Sequence, residues 1–456
     1  MVIDPSIFKA NDIRGIYPTQ IDDALAYKIG QAYVFVTKPR GEVLVGFDVR
    51  IHSPELKESL IKGITDAGVD VIDVGLISTD MLYFAVGNYN TDGGIQITAS
   101  HNPPEWHGFK MVKKGPVAIS LESGIGEIRD FTISEKGIVH KNKGKVRKME
   151  IWDDYCNYIL KWIDISKIKP LKVVINANFG LAGKIFKRIA ELGNLPLEII
   201  PLNAEPNGTF PKGRPDPFVP ENRDEFVKLV RENNADLGIA WDADADRVFF
   251  CADGGLFVEP YYLNTILIKS MLKRNPGEKI IYDVRYTWGL LDAIKESGGI
   301  PVLWKVGHSY IKEKMRQENA LFATESSGHT YYRDYWYSDC GMIPPMQVME
   351  FLSENNIKLS EAVAPAMKKY IISGEINSEV VDKDAKMEEI SQKYKDAKQS
   401  RLDGISVEYN DFRFVVRPSN TEPLLRLTLE AKSKQLMEQK RDEVLDIIRT
   451  GLIRKS

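Results

Sequence analysis

The chain has 456 residues, 43% hydrophobic and 27% charged, with 61 Lys and Arg against 64 Asp and Glu for a net charge of −3. That balance belongs to a globular protein and leaves no global basic field to gather nucleic acid. No run approaches the roughly 20 apolar residues of a membrane span, and Met1-Val2-Ile3-Asp4-Pro5 has neither the basic head nor the apolar stretch of a signal peptide. Cys156, Cys251 and Cys340 are dispersed and lack paired metal-site spacing, which fits a reducing compartment. A soluble, cytoplasmic protein of about three domains or more, at ~150 residues each, is expected.

In chain order, residues 41–48 read as a buried strand ending in polar residues. Ser53-Pro54-Glu55 opens a helix, with Ser53 as N-cap and Pro54 in the first turn. Leu56, Leu60, Ile61, Ile64 and Ala67 give it one apolar face, Gly68 stops it, and 69–75 is the next strand. The pattern restarts at 171–176 and 279–284, each strand preceding a glycine-containing turn and an amphipathic helix. The basic run from Lys141 to Lys148 reads as a solvated hairpin or linker face. Beyond about residue 368 the texture changes: a strand near 370–373, a charged helix near 384–399, strands near 405–409, 412–416 and 424–431, and a last helix near 433–452. The expected architecture is three tandem mixed- or parallel-sheet α/β domains (1–150, 151–253, 254–367) and a smaller α+β domain with an antiparallel sheet (368–456), around a central cleft.

Four segments carry chemistry. Thr98-Ala99-Ser100-His101-Asn102-Pro103 follows an apolar strand and presents one hydroxyl beside an imidazole, the setting of a nucleophilic or phosphate-carrying serine. Asp242-Ala243-Asp244-Ala245-Asp246-Arg247 places three carboxylates at spacing two; in extended chain they share one side and suit a hard divalent cation. A solvated acidic loop is the competing reading, but apolar strands flank the cluster. An EF-hand is a poor match, with Arg247 where glycine is needed and Asp253 where the bidentate glutamate belongs. Thr324-Glu325-Ser326-Ser327-Gly328-His329 could grip the hydroxyls of a polyol, though such turns are mostly structural. Arg417-Pro418-Ser419-Asn420-Thr421-Glu422-Pro423 forms an anion cradle or, read alone, a plain turn.

Taken together, these four segments resemble the α-D-phosphohexomutase family, one signature per domain and in the family's order. The resemblance covers essentially the whole chain. Asn11-Asp12-Ile13-Arg14-Gly15 is similar to the family's arginine-bearing N-terminal motif, Gly108-Phe109-Lys110 to its reaction-centre lysine segment, and Gly307-His308-Ser309 to a ligand-contacting turn. Arg285 stands where the family often has a basic residue. Departures are Asn11 for tyrosine, Trp106-His107 for Tyr-Asn, Ala243 for a frequent glycine, and Thr324 and Ser326 for glycine and methionine. With Ala243 in that place, the metal loop must avoid positive φ there.

The resemblance implies an intramolecular phosphotransferase, an isomerase converting hexose 1-phosphate to hexose 6-phosphate, the hexose being mannose or glucose. Ser100 would carry the phosphoryl group. Mg²⁺ would sit among the Ser100 phosphate, Asp242, Asp244 and Asp246, and a hexose 1,6-bisphosphate would serve as intermediate and activator. Arg14, Lys110 and Arg247 would clamp the phosphoryl group. His101, Lys110 and His329 are the candidates for proton transfer. Arg285, His308, Glu325 and Ser327 would hold the sugar side, and Arg417, Ser419, Asn420 and Thr421 the distal phosphate. Competing readings are a phosphoglucosamine mutase, a Mg²⁺-dependent sugar-phosphate phosphatase and a silent sugar-phosphate sensor. The partners expected are small sugar phosphates, not nucleic acid or membrane.

Overall fold

A helix between two strands returns the chain to the same end of the sheet, so strand–helix–strand repetition produces parallel pairing. The computed structural model describes residues 3–134, 136–419 and 423–450 and contains that unit three times. Val43–Phe47, Ser53–Asp66 and Val71–Leu76 make the first unit; Leu171–Asn176, Ala182–Leu192 and Leu197–Leu202 the second; Lys279–Asp283, Trp288–Glu296 and Ile300–Trp304 the third. Antiparallel strands widen each parallel core. In the first sheet, Gly93–Ile97 runs parallel to Val43–Phe47 and antiparallel to Trp106–Lys113, which pairs in turn with Ile13–Ile16. The fourth sheet is antiparallel among the described residues, with Leu424–Ala431 between Phe412–Pro418 on one side and Ile371–Ile372 and Ile376–Glu379 on the other. Three tandem mixed-sheet α/β domains therefore precede an α+β domain. No described helix is long and apolar enough to cross a membrane.

Several local expectations need correction. Ser53 is the first helical residue rather than the N-cap, which is His52; the Ser53 hydroxyl instead donates to Asp48 at 2.8 Å. Val146–Lys148 is not a hairpin face but an edge strand, parallel to Val71–Leu76, with its side chains exposed. The charged helix ends early, at Lys393, and Lys398–Ser400 becomes a strand antiparallel to Ile405–Glu408. The last helix spans Lys434–Arg449.

One apolar core runs through the first three domains, with Phe84, Tyr155, Trp241, Tyr261, Phe322 and Tyr335 in a single cluster. The fourth domain has a core of its own around Phe414, Leu427 and Val444. Besides apolar contacts of Tyr370 and Ile372, a buried polar cluster ties it to the third domain. Glu430 accepts from the Tyr261 hydroxyl at 2.8 Å, the Thr287 amide at 2.7 Å and Arg413 at 3.0 Å. Arg413 also donates to the carbonyls of Arg285 at 3.1 Å and Val284 at 2.9 Å. Removing one member of such a buried pair leaves an uncompensated charge, which costs about 3–5 kcal/mol. Arg413→Ala is accordingly expected to lower the urea midpoint of the fourth domain's transition markedly. A shift worth under about 1 kcal/mol, the scale of an exposed pair, would show that the clamp does not hold the domain.

Candidate active site

The strand Gly93–Ile97 is fully buried and ends in the loop that carries Ser100. Ser100 adopts a left-handed backbone, φ 50°, and its amide donates to the Thr98 hydroxyl oxygen at 2.8 Å. This bend is uncommon for a residue with a Cβ and is held by surrounding bonds. The Ser100 Oγ lies 3.0 Å from His101 Nδ1 and donates to Asp242 at 3.4 Å. Arg14 reaches the same loop, bonding Asn102 Oδ1 at 2.9 Å while paired with Asp12 at 2.7 Å. Burial, then the charges of Arg247, Arg14 and Arg214, push the His101 imidazole well below its ordinary value, so it is neutral.

Asp242, Asp244 and Asp246 do not lie in extended chain. They occupy a tight turn between Leu237–Trp241 and Val248–Ala252, and Ala245 takes φ 62°. The left-handed residue is thus Ala245, while Ala243 stays outside that region. The turn still brings the three carboxylates together, each within 4.8 Å of the others and all buried. Gly341 closes over it: a Cβ there would meet the Ala245 carbonyl at 2.2 Å. Lys110 Nζ donates to Asp244 at 2.6 Å and also to Asp246. Arg247 bonds Asp242 at 2.8 Å and Asp216 at 3.4 Å. Burial lowers the affinity of Lys110 for its proton, but Asp244 and Asp246 outweigh it and the net direction is upward. Burial pushes the Asp242 carboxyl up to about 8 against the pull of Arg247, with Asp246 and Asp244 adding to the push. Asp244 Oδ1 and Asp246 Oδ1 are buried without a hydrogen-bond partner. Three crowded carboxylates with orphaned oxygens are the donor set that a hard divalent cation satisfies.

From the third domain, Glu325 accepts from the Gly307 amide at 3.0 Å and the Tyr331 hydroxyl at 2.5 Å, and lies 3.3 Å from His329 Nδ1. His329 Nε2 faces Asp246 at 3.5 Å, and Ser327 Oγ is 3.0 Å from Nδ1. Burial alone would lower His329, but Asp246 and Glu325 carry it up to about 9. Arg285 is buried on Asp283 at 2.8 Å, with Glu325 at 3.6 Å. His308 begins the helix His308–Glu318, its ring 6.4 Å from that of His329. In the fourth domain, Arg417 bonds Asp403 at 2.8 Å, and the same carboxylate oxygen accepts from the Val306 amide at 2.9 Å. The cradle arginine therefore adjoins the Gly307-His308 turn. Ser419 is buried, and its carbonyl accepts from Lys383 at 2.8 Å; Asn420 and Thr421 lie outside the described residues.

Comparison with known proteins decides what these loops belong to. Family models match in sequence order: phosphoglucomutase/phosphomannomutase alpha/beta/alpha domain I over 5–135, domain II over 153–255, domain III over 259–370 and the C-terminal domain over 375–447. A phosphomannomutase of Vibrio cholerae is 40% identical over 97% of this chain and 98% of its own length. The phosphohexose mutases of Xanthomonas campestris are also 40% identical, over 97% of this chain and 99% of theirs. The chain belongs to the phosphoglucomutase/phosphomannomutase family. The crystal structure of a family protein from Burkholderia thailandensis superposes with a TM-score of 0.88 at 31% identity, covering 98% of this chain and 99% of that one. The enzyme is a phosphohexomutase.

Within the mutase, Ser100, His101, Lys110, Arg247, His329 and the three aspartates form one polar cluster, which Arg14 reaches through Asn102 of the serine loop. Glu325 and Ser327 join it through His329, and Arg285 through Glu325. Asp216, Arg214 and Arg50 were not singled out by sequence reasoning. Asp216 lies in the segment Pro215-Asp216-Pro217, which reads as a bare turn until its contact with Arg247 is seen. Arg214 pairs with Asp216 at 3.0 Å, and its charge bears on His101. Thr79, at a helix start, donates to Asp244 at 2.6 Å and fastens the first domain to the metal loop.

Proposed function

We propose that the mutase interconverts the 1- and 6-phosphates of mannose and glucose through a phosphoserine at Ser100 and a bound hexose 1,6-bisphosphate. One observation carries the reading most. A serine hydroxyl in a strained loop stands 3.4 Å from the first of three clustered aspartates, with Lys110 bridging the other two.

Phosphoryl transfer asks a protein mainly for positioning and for charge opposite the moving oxygens. Asp242, Asp244 and Asp246, with the phosphoserine, would hold Mg²⁺, which when bound draws charge from the phosphoryl oxygens. Arg14, Arg247 and Lys110 supply fixed positive charge around them. In the forward direction the bond from phosphorus to Ser100 Oγ breaks, and one forms to O6 of a hexose 1-phosphate. The O6 hydroxyl gives up its proton and the departing Ser100 Oγ takes one up; His101, 3.0 Å from Ser100 Oγ and neutral, with one ring nitrogen to accept and the other to donate, suits that exchange. After the bisphosphate has turned over, the bond from phosphorus to O1 breaks and one forms to Ser100 Oγ. As it attacks, Ser100 Oγ passes its proton to His101, and the freed O1 takes one from His329, whose pKa Asp246 and Glu325 carry up to about 9; solvent then restores both imidazoles. Glu325 and Ser327 would hold sugar hydroxyls in both orientations. Arg285 and His308 border them, and Arg417, Ser419, Asn420 and Thr421 would hold whichever phosphate is not reacting. Such a distal site serves a mutase and is superfluous to a phosphatase.

Glucose 1-phosphate, mannose 1-phosphate and glucosamine 1-phosphate, each offered with Mg²⁺ and a trace of hexose 1,6-bisphosphate, test the proposal. The expected result is 6-phosphate product from the first two, with a higher kcat/KM than for the amino sugar. Free phosphate in place of 6-phosphate would overturn it.

A further inference from the structure

Arg50 lies just beyond the strand Val43–Phe47, fifty residues from the serine whose loop it holds, and its side chain is fully buried. Its Nη2 donates to the carbonyls of Ser100 and Asn102, each at 2.7 Å. Its Nη1 donates to those of Pro103 at 2.7 Å and Trp106 at 2.9 Å, and Nε donates to Asp48 at 3.2 Å. All five guanidinium N–H groups are thereby used, in the planar fork that only arginine offers.

The loop's own sequence explains the need. Asn102-Pro103-Pro104 contains two peptide units without an N–H. A segment so short of donors pairs few of its carbonyls with itself, the Trp106 amide reaching that of Pro103 at 3.1 Å, and buried carbonyls left unpaired are costly. Arg50 supplies the missing donors from one point. It also fixes the Ser100 carbonyl, while the Thr98 hydroxyl fixes the Ser100 amide, so both backbone groups of the left-handed residue are pinned.

The same side chain touches the second domain. The Phe210 ring lies 5.1 Å from the Arg50 guanidinium carbon, and the backbones of Arg50 and Gly208 form a bridge. No side chain fits there, since a Cβ on Gly208 would meet the Val49 carbonyl at 2.2 Å. The segment from Gly208 leads to Asp216, which bonds Arg247 at 3.4 Å, and Arg247 bonds Asp242 at 2.8 Å. Arg50 is therefore fastened both to the serine loop and to the segment that braces the metal loop.

We propose that Arg50 is a positioning residue of the mutase: through backbone alone it keeps Ser100 Oγ in register with Asp242. The inference rests on Ser100 being the phosphoryl carrier. Because the buried guanidinium spends all five of its N–H groups on the protein, its loss should slow transfer without weakening sugar binding.

The test compares Arg50→Lys and Arg50→Ala with the parent in the full chain. The readouts are steady-state kinetics, phosphoserine content by ³¹P NMR, the single-turnover rate of Ser100 phosphorylation by glucose 1,6-bisphosphate, and thermal melting. For Arg50→Ala, kcat and the single-turnover rate should fall about 100-fold, the cost of roughly an ångström of misplacement, while KM stays within about threefold. Arg50→Lys, a point charge with three donors, should lose about tenfold, and added guanidinium ion should partly restore the alanine variant. If the alanine variant does not fold, the lysine variant decides. A folded Arg50→Lys enzyme with kcat and single-turnover rate equal to the parent's would overturn the inference, as would a rise in KM at unchanged kcat. An active parent that never carries phosphate on Ser100 would instead overturn the phosphoserine reading, and this inference with it.

Discussion

Ser100→Ala is expected to reduce kcat by on the order of 10³ or more, as removal of a covalent nucleophile does. The hydroxyl is the group on which the phosphoryl would wait between half-reactions, so its loss cannot be offset by tighter binding. The Thr98 hydroxyl is no substitute, since its oxygen is held as acceptor by the Ser100 amide at 2.8 Å. Structural damage should be small, because one buried oxygen is removed and the loop stays tied through its carbonyls to Arg50. The melting temperature should therefore hold while turnover disappears. Incubation with hexose 1,6-bisphosphate should label the parent at Ser100 and leave the variant unlabelled. Turnover above about a tenth of the parent's, far more than loss of a nucleophile permits, would mean that the serine is not the carrier.

The parts of this site that sequence made legible are those whose chemistry is packed into a few consecutive residues. Ser100-His101, Asp242 to Arg247 and Glu325 to His329 each sit in one turn after a buried strand, so strand pattern and residue type together point to them. The groups that brace them are scattered. Arg50 meets the Ser100 loop from fifty residues away, and Thr79 meets Asp244 from 165 away. Nothing in Asp48-Val49-Arg50 distinguishes a buried guanidinium from a solvated one until the carbonyls around it are seen. The Arg413–Glu430 clamp was hidden for the same reason, as two alternating polar positions on neighbouring strands of a sheet.

Local expectations failed where tertiary pairing outweighed propensity. Residues 395–399 suit a helix by composition, yet Lys398 faces Glu408 across an antiparallel pair, and the sheet edge takes the chain. At the metal loop the alternation of aspartate and alanine suggested extended chain. The carboxylates converge instead because Ala245 turns left-handed beneath Gly341, where no larger residue fits. The spacing was informative and the conformation assigned to it was wrong: it is the turn, not a strand face, that gathers the charges.

That turn sets the second large effect. Asp244 Oδ2 already accepts from Thr79 at 2.6 Å and Lys110 at 2.6 Å, which leaves Oδ1 as the oxygen for a cation. Asparagine at this position must either turn its amide nitrogen toward the Thr79 hydroxyl and the Lys110 ammonium, reversing the first bond and losing the second, or present it to the cation, losing a ligand. In each orientation one negative charge is gone from a cluster that also holds Lys110 in place. Asp244→Asn should therefore weaken Mg²⁺ binding measured by calorimetry and lower kcat by several kcal/mol of barrier, on the order of 10²–10⁴-fold. Chelation of the parent should abolish turnover and Mg²⁺ should restore it, while the variant should need far more metal for its residual rate. Full turnover by the chelated parent would remove the cation from the mechanism. Unchanged metal affinity in Asp244→Asn would leave Asp242 and Asp246 as the ligands and reduce Asp244 to an anchor for Lys110.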